Sequence, residues 1–538
     1  MAVSEVRPPG ADRIPQTAPL RPAWLGRLFK PVDIGLLAFF RIAFGVILLW
    51  EVTRFFRYGW IAAKFVEPEM HFTYFGFSWV RPWAGTEAHP ALGMQIHFAV
   101  LGVLALCIAV GFYYRIVMPL FLVGFAYVFL LEQSEYLNHF YFVILLSGIL
   151  CVLPAHRVWS VDAWRQERNP VSSETPGFWE ALEARNPVFQ KIPGFSAPAW
   201  TLWLLRAQIA VVYFFGGVAK LNSDWIHGEP MRMFLATRTD FPLLGPYMTE
   251  EWMVQVFVWG GLLLDLLIVP FLLWKPTRGW AFVAILSFHV LNNMLFQIGI
   301  FPWLMMAATL LFFPPEWVSA RPAARGDAPR KRGALRRKRH KAGSGETASR
   351  SPVFGTTGFL VAAALGFYLL VQVVLPLRHF VYPGNVSWTE EGHRFAWHMK
   401  LRVKQAAHVE FHATDAEGNR FDWTLRPRGH DPPAVLFTAA DAGGRPLTVD
   451  DPLPELTSRQ FAAMSCKPDM TLQFCHALAD ALRARGRRDV AVRVVSYVSL
   501  NSREPQLLID PNINLAAEER TLGHAEWIVP LTEKIGDR

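Results

Sequence analysis

Nine apolar segments, most of them long enough to cross a membrane, constrain this chain more than any other feature of its sequence. Hydrophobic residues make up 52% of its 538 residues, which is too many for an ordinary soluble protein of this size. About 20 apolar residues in a helix cross the hydrocarbon core of a bilayer. The sequence therefore predicts a polytopic α-helical membrane bundle of about nine transmembrane helices. The segments cover residues 32–51, 91–112, 115–132, 139–154, 197–220, 251–274, 279–297, 298–313 and 353–376.

Basic residues indicate the orientation of this bundle. The most basic stretch, RKRGALRRKRHKAG, lies between the eighth and ninth segments, and loops rich in Lys and Arg stay in the cytoplasm. With that loop inside, the other basic loops and the N-terminus also fall inside. Anionic lipid or nucleic acid would also suit such a loop, but topology alone explains it, and we expect no nucleic-acid partner. The predicted domains are a disordered cytoplasmic tail over 1–31, eight spans over 32–317, a basic cytoplasmic loop over 318–352, a ninth helix over 353–376 and an extracytoplasmic domain over 377–538.

The region after Arg378 has the pattern of a separate, mainly β domain with some helix. Alternating side chains in HMKLRV and HVEFHA, the turn DAEGN and the run RFDWTL predict an antiparallel meander. A helical stretch over 457–485 and strands at DVAVRVVSYVSL and QLLID follow. Cys466 and Cys475 lie in this domain. An oxidising compartment would permit a disulfide between them, and two free thiols are equally compatible with the sequence.

Lys220 stands at the end of an apolar segment, in the run YFFGGVAKLNSDW. Ionisable groups in membrane segments are functional candidates, because an ammonium is costly to desolvate. Packing against Phe214, Phe215 and Val218 would disfavour the charged form and leave an amine that accepts a proton. The alternative is a lysine whose ammonium reaches the headgroups along its aliphatic chain.

Two histidines add to this candidate site. His139, next to Asn138 in LNHFYF, begins a segment at the outer depth at which Lys220 ends one. A histidine at a helix start is otherwise often a cap or a surface residue. His289 lies mid-segment in SFHVLNNMLF, within one helical turn of Asn292. Polar residues at such positions also link helices to each other.

Several long motifs, in one order along the chain, resemble the vitamin K-dependent gamma-glutamyl carboxylases. FFGGVAKLNSDWIHG, GGLLLDLLIVPFLLW and FHVLNNMLFQIGIFPWLMMAATLLFFPPEW are similar to the membrane region of that family, which is of the HTTM type, and so are FRIAFGVILLWEV and LNHFYF. RHFVYPGNVSWTEEGHRFAWHMK, VSYVSLN and LLIDPNINL are similar to its luminal domain. The resemblance extends from about Asp33 to about Leu531, and the N-terminal tail and the arginine-rich segment 321–350 depart from it. A composition rich in alanine, arginine and proline suggests a bacterial member.

The resemblance implies an integral membrane enzyme that converts protein glutamate to γ-carboxyglutamate with CO2 and O2. It couples this reaction to the oxidation of vitamin K hydroquinone, of the phylloquinone or menaquinone type, to the 2,3-epoxide. The residue matching Lys220 is the family's starting base, and the one matching His139 stabilises a reacting group by hydrogen bonding. No metal is required. The expected lining of the quinol site is Asn138, Phe214, Phe215, His289, Asn292, Met294 and Trp303.

The resemblance also implies the partners and the location. The partners are a glutamate-containing protein or peptide, an isoprenoid quinol and the lipid bilayer. A bacterial member would lie in the inner membrane with its C-terminal domain in the periplasm; a eukaryotic one would lie in the ER membrane with that domain in the lumen. Two other functions stay open: a quinol epoxidase without protein carboxylation, and a non-enzymatic quinone-binding scaffold, although a scaffold has no need of a desolvated lysine.

Overall fold

The computed structural model describes residues 23–168, 196–318, 356–428, 431–451 and 453–532. In these ranges, seven helices are long and apolar enough to cross a membrane, and two shorter apolar helices accompany them. The predicted fold class is therefore confirmed, with one helix in each predicted segment. The helices are α1 Gly35–Arg57, α2 Leu92–Val110, α3 Tyr114–Leu131, α4 Asn138–Val152, α5 Ala199–Val218, α6 Glu251–Leu273, α7 Arg278–Phe296, α8 Phe301–Thr309 and α9 Thr356–Leu377.

Short elements connect these helices. Residues 1–22 of the predicted tail and the arginine-rich segment 321–350 lie outside the described residues. A helix at Ala23–Leu28 lies before the predicted boundary at residue 32, and a strand at Pro31–Asp33, paired with Ser196–Pro198, spans it. Residues 23–28 of the predicted tail are therefore helical. The other short helices are Trp60–Phe65, Val161–Arg168, Ser223–Ile226, Glu229–Ala236 and Val386–Thr389.

The motif FRIAFG fixes the packing of α1 inside the bundle. A Cβ at Gly45 would lie 2.5 Å from the backbone nitrogen of Ala109, so only glycine lets α1 and α2 approach this closely. Arg41 is buried, and its guanidinium donates hydrogen bonds to the carbonyl oxygens of Ala109, Ala155 and Trp159. One side chain thus satisfies three backbone groups at the ends of neighbouring helices, where a buried unpaired carbonyl would be costly.

The C-terminal domain contains an antiparallel sheet packed on helices. Its described strands are β1 Lys404–Thr414, β2 Arg420–Arg428, β3 Asp431–Ala440, β4 Ala491–Leu500 and β5 Gln506–Leu507, in the spatial order β3-β2-β1-β4-β5. Alternate side chains of β4 are buried, as the period of a strand requires. Phe411 of β1 lies opposite Val494 of β4, and its ring packs against Phe474. The helices are α10 Ser458–Met464 and α11 Pro468–Ala484.

The prediction of a strand in HMKLRV is wrong, because β1 begins only at Lys404. Trp397 and Lys400 have positive φ angles of 60° and 55°, which an extended strand does not allow. His398 and Met399 instead line a cavity of the bundle. Alternation within six residues is therefore too short a signal to establish a strand by itself.

The two cysteines of this domain are free thiols. Cys466 follows α10 and Cys475 lies in α11, and both are buried. Burial raises the pKa of each thiol, so both side chains act as apolar packing residues.

Polar contacts join the C-terminal domain to the bundle beside Lys220. Both oxygens of Asp224 accept hydrogen bonds from the guanidinium of Arg503, at 2.7 and 2.8 Å, and Oδ2 also accepts from Asn501 at 2.7 Å. Farther away, Gln473 Oε1 accepts from the backbone nitrogen of Thr73. The Asp224–Arg503 pair is almost fully buried, so it fixes how the domain sits on the membrane helices.

Arg503→Ala should loosen this docking. Removing one partner of a buried ion pair leaves an uncompensated charge and costs about 3–5 kcal/mol. We expect a lower thermal midpoint in detergent and faster proteolytic release of the C-terminal domain. Arg488→Ala is the matched control, because Arg488 pairs with Glu417 at the exposed surface, where an ion pair contributes little. Equal behaviour of the two variants would contradict the assigned role.

Candidate functional site

A cavity of about 260 Å³ lies where the bundle meets the C-terminal domain. The start of α4, the second half of α5, the middle of α6, the second half of α7 and the start of α8 supply much of its wall. Residues 398–400 and the segment after α5, with Lys220, Trp225 and Met231, also line it. The wall is largely apolar and aromatic, with Phe257, Phe288, Phe296, Phe301 and Met305. The few polar groups therefore act in surroundings that contain little water, where their interactions are strong.

Lys220 enters this cavity as one half of an ion pair. Its Nζ lies 2.5 Å from Oδ2 of Asp265 on α6, and it donates a second hydrogen bond to the carbonyl oxygen of Gly216 at 3.0 Å. The ring of Trp225 lies 5.3 Å away. The two charged side chains are each only 7% exposed. Each of these contacts stabilises positive charge on Lys220.

The structure thus corrects the surroundings that we expected for Lys220. Phe214 is 52% exposed on the outside of the bundle, and neither it nor Phe215 lines the cavity. Asp265, which the sequence reasoning missed, is the main partner. A signal for it was present, because Asp265 is an acid within the apolar run GGLLLDLLIVPFLLW, and such acids are rarely without function.

The pair of glycines in FFGGVAK brings the two charges together. A Cβ at Gly217 would lie 2.6 Å from a methyl carbon of Leu266 and 3.2 Å from its backbone nitrogen. A Cβ at Gly216 would lie 3.2 Å from Oδ2 of Asp265. Helix α5 can therefore approach α6 closely enough for Lys220 to reach Asp265, as small residues allow in membrane bundles.

His139 and Asn138 lie in the same cavity as Lys220. The His139 ring packs edge-on against Phe140 and near Phe301, and its nitrogens form no hydrogen bond with another described residue. Asn138 donates from Nδ2 to the carbonyl oxygen of His398 at 3.0 Å and accepts from the hydroxyl of Tyr136 at 2.9 Å. Asn138 therefore positions the C-terminal segment that closes the cavity, while His139 can bind a ligand.

His289 and Asn292 also line the cavity. The Nε2 atom of His289 and the hydroxyl of Tyr213 lie 2.9 Å apart, which links α7 to α5. Within the described part of the chain, Nδ1 of His289 is buried without a hydrogen-bond partner. His289 thus links two helices, and its ring carries a nitrogen that is not used by another described residue.

Four predicted lining residues lie elsewhere. Phe215 is buried between helices, and Phe214, Met294 and Trp303 are exposed on the bundle surface. Trp303 packs edge-on against Trp50 there. Surfaces of this kind are expected to contact lipid, so these aromatic residues contribute to the membrane boundary.

Residues from the C-terminal domain complete the site, and the sequence did not indicate them. His398, Met399 and Lys400 line the cavity opposite the membrane helices. Both ring nitrogens of His398 are buried and have no partner among the described residues. Lys400 Nζ lies over the rings of Phe234 and Phe296 at 5.0 and 5.1 Å.

Two protein-family models match the chain, and the ranges that they match contain the residues that line this cavity. The model of the HTTM domain matches residues 29–189 and 187–317. The model of the vitamin K-dependent gamma-carboxylase lumenal domain matches residues 358–430 and 415–534. The chain belongs to the vitamin K-dependent gamma-glutamyl carboxylase family. No solved structure matches it.

In this carboxylase-family protein, each matched region supplies part of the site. Lys220 and Asp265 come from the HTTM region, and His398 comes from the lumenal-type domain. Membership implies a multi-pass membrane protein that acts on a protein substrate with a vitamin K cofactor. The cavity fits the ring of such a cofactor, because its wall is aromatic, and because neither His139 nor Nδ1 of His289 is hydrogen-bonded to another described residue.

Proposed function

We propose that this protein carboxylates glutamyl residues of a protein or peptide, coupled to the oxidation of reduced vitamin K to the 2,3-epoxide. The observation that carries the proposal is the buried Lys220–Asp265 pair, which lies in an apolar cavity formed by both domains. CO2 and O2 are the further reactants. The C-terminal domain would face the periplasm of a bacterium, where it meets the acidic substrate.

The cavity would hold the quinol by its aromatic wall and by its free polar atoms. Phe296, Phe301 and Met305 supply apolar contact, and His139 supplies a hydrogen bond. Bound there, reduced vitamin K would supply, through its oxidation by O2, the basicity that removal of a glutamyl γ-proton requires and that side chains lack. The apolar wall keeps water away from the reacting groups.

Lys220 and Asp265 would act as one proton-holding unit. An ammonium cannot accept a proton, but Oδ2 of Asp265 is only 2.5 Å from Nζ. Transfer of one proton across this contact gives an amine and a carboxylic acid, two neutral groups that suit a site with little water. Lys220 then has a free electron pair at Nζ and accepts a proton from the bound quinol.

The test is an incubation of membranes that contain the protein with reduced vitamin K, labelled bicarbonate and a glutamate-rich peptide. We expect label in the peptide together with epoxide. A peptide with glutamine in place of glutamate is the control and should stay unlabelled. Epoxide without peptide label would instead establish a quinol epoxidase. The absence of both products would favour a quinone-binding scaffold.

Gly217→Val should impair the reaction by changing the distance between Lys220 and Asp265. The larger side chain cannot fit against Leu266 at the distance that the two helices keep, so α5 and α6 must separate and Lys220 must move away from Asp265. We expect epoxide formation to fall by roughly a factor of 100, which is the scale of a displaced acid–base group. Gly260→Val is the control, because a Cβ at that position on α6 meets nothing within 4 Å. Wild-type activity in Gly217→Val would contradict the role of the close contact.

A further inference from the structure

A second cavity of about 310 Å³ lies between the C-terminal domain and the bundle. Its wall includes the loop around Tyr74, the segment 389–395, the start of α11 and residues 519–528. Phe395 and Tyr136 connect its wall to that of the cavity that contains Lys220, which we call the reaction cavity. The backbone nitrogen of Phe395, which lines the second cavity, donates a 2.8 Å hydrogen bond to the hydroxyl of Tyr136, which lines the first.

Most charged groups of this second cavity already have partners. Arg520 binds both oxygens of Asp469, at 2.9 and 3.0 Å. Glu391 accepts hydrogen bonds from the backbone nitrogen of Ala525 and from the ring of His524. These groups hold the wall in place and leave little capacity for a ligand.

Arg394 and Lys467 differ from these, since neither forms an ion pair with another described residue. Both line the second cavity. Burial, and then the positive charge of Arg394, lower the pKa of Lys467 to about 7. The two cations repel each other. Glu390, which also lines this cavity, offsets part of this repulsion but is itself paired with Arg402. An anion bound beside Arg394 and Lys467 would offset more of it.

Two buried donor atoms point to the same ligand. In the described part of the structure, the hydroxyl of Tyr74 and Nη2 of Arg394 are buried and have no hydrogen-bond partner. Tyr74 is only 6% exposed, and it also lines this cavity. Buried polar groups are almost always hydrogen-bonded, so unpaired donors beside a cavity indicate an acceptor that binds there.

We propose that the second cavity binds a carboxylate of an acidic peptide, through Tyr74, Arg394 and Lys467. This rests on the proposed function, and it assigns a binding site for a second acidic residue of the same substrate. A peptide is the favoured source of the carboxylate, because the cavity is built mainly by the C-terminal domain. Its wall also contacts the wall of the reaction cavity through the hydrogen bond between Phe395 and Tyr136. A substrate with several acidic residues would place one in each cavity.

The test measures binding without turnover. Full-length protein in nanodiscs of uncharged lipid is titrated with a fluorescent glutamate-rich peptide, with no quinol present, at about pH 6, where Lys467 is mainly protonated. Arg394→Gln and Lys467→Gln should each weaken binding roughly tenfold, which is the scale of one charge-assisted hydrogen bond. Tyr74→Phe should weaken peptide binding a few-fold, because it removes only the hydroxyl and keeps the rest of the side chain. Arg488→Gln removes one exposed positive charge from the same domain and is the control, with unchanged binding.

The outcomes separate this proposal from the proposed function. Unchanged affinity in Tyr74→Phe and Lys467→Gln, or equal binding of a glutamine-substituted peptide, would overturn the second site even if carboxylation is observed. Weaker binding in these variants, with no carboxylation, would support the site and reject the function alone. Arg394→Lys should regain part of the affinity, which a variant that merely misfolds would not do. If anionic lipid rather than peptide shows the dependence on Arg394, the cavity is a lipid site and the proposal is wrong.

Discussion

Replacing Lys220 with alanine should abolish epoxide formation. The variant has no amine in the cavity, and no other described side chain within hydrogen-bond distance of Asp265 can replace it. We expect a loss of at least roughly 1000-fold, in the range of a removed general base. Small amines added to the assay should restore part of the activity, because they can enter the space that the side chain leaves. His139→Ala should also be impaired, but amines should not rescue it, since His139 does not supply the base.

The Lys220→Ala variant should also be less stable, because Lys220 is paired with Asp265. A lysine buried alone could be removed at little cost, but Lys220→Ala leaves the carboxylate of Asp265 without its partner. Breaking a buried pair in this way costs about 3–5 kcal/mol. The double variant Lys220→Ala with Asp265→Asn should therefore regain thermal stability and stay inactive. Lys275→Ala, at an exposed lysine, is the control. Near-normal epoxidation by Lys220→Ala would show that another group is the base.

The sequence was sufficient to predict the membrane helices, because the length and hydrophobicity of a span are local properties. It also indicated Lys220, His139, Asn138, His289 and Asn292, which the structure brings into one cavity. Polar residues in apolar helices must find polar surroundings in the bundle interior, so their presence alone indicated where they would face.

The lining aromatics could not be predicted in the same way. Successive residues on a helix point about 100° apart, so Phe215 is buried while Phe214 faces outward. Helix α5 is apolar over most of its surface, so its sequence pattern does not show which face packs against α6. The same limit applies to Asp265, which meets Lys220 only because Gly217 lets the two helices approach.

Two motifs from distant parts of the chain meet at the boundary between the domains. Asp224 in LNSDW and Asn501 in VSYVSLN are hydrogen-bonded across the boundary between the domains. The first motif also carries Trp225, whose indole lies against Lys220. The contact that docks the C-terminal domain therefore adjoins the residues that form the site, which explains why a separate domain can supply part of the cavity wall.

Asp265→Asn should make the reaction depend on pH in a way that the unmodified protein does not. With Asp265 present, its carboxylate can take the proton directly from Nζ across the 2.5 Å contact, and this internal transfer exposes the amine without exchange with solvent. An asparagine cannot accept that proton, so Lys220 must lose it to water before it can act. We expect activity at neutral pH to fall about 100-fold, the scale of an impaired acid–base step, and to recover partly as the pH rises.

Asp265→Glu is the matched variant for this prediction, because it keeps the carboxylate and only lengthens the side chain. It should retain a flat pH profile with a reduced rate. The measurement is the initial rate of epoxide formation across the neutral and alkaline range, together with thermal stability at each pH. A fully active Asp265→Asn protein with a flat profile would show that Asp265 only orients Lys220. The amine would then act alone, and the two residues would not form one proton-holding unit.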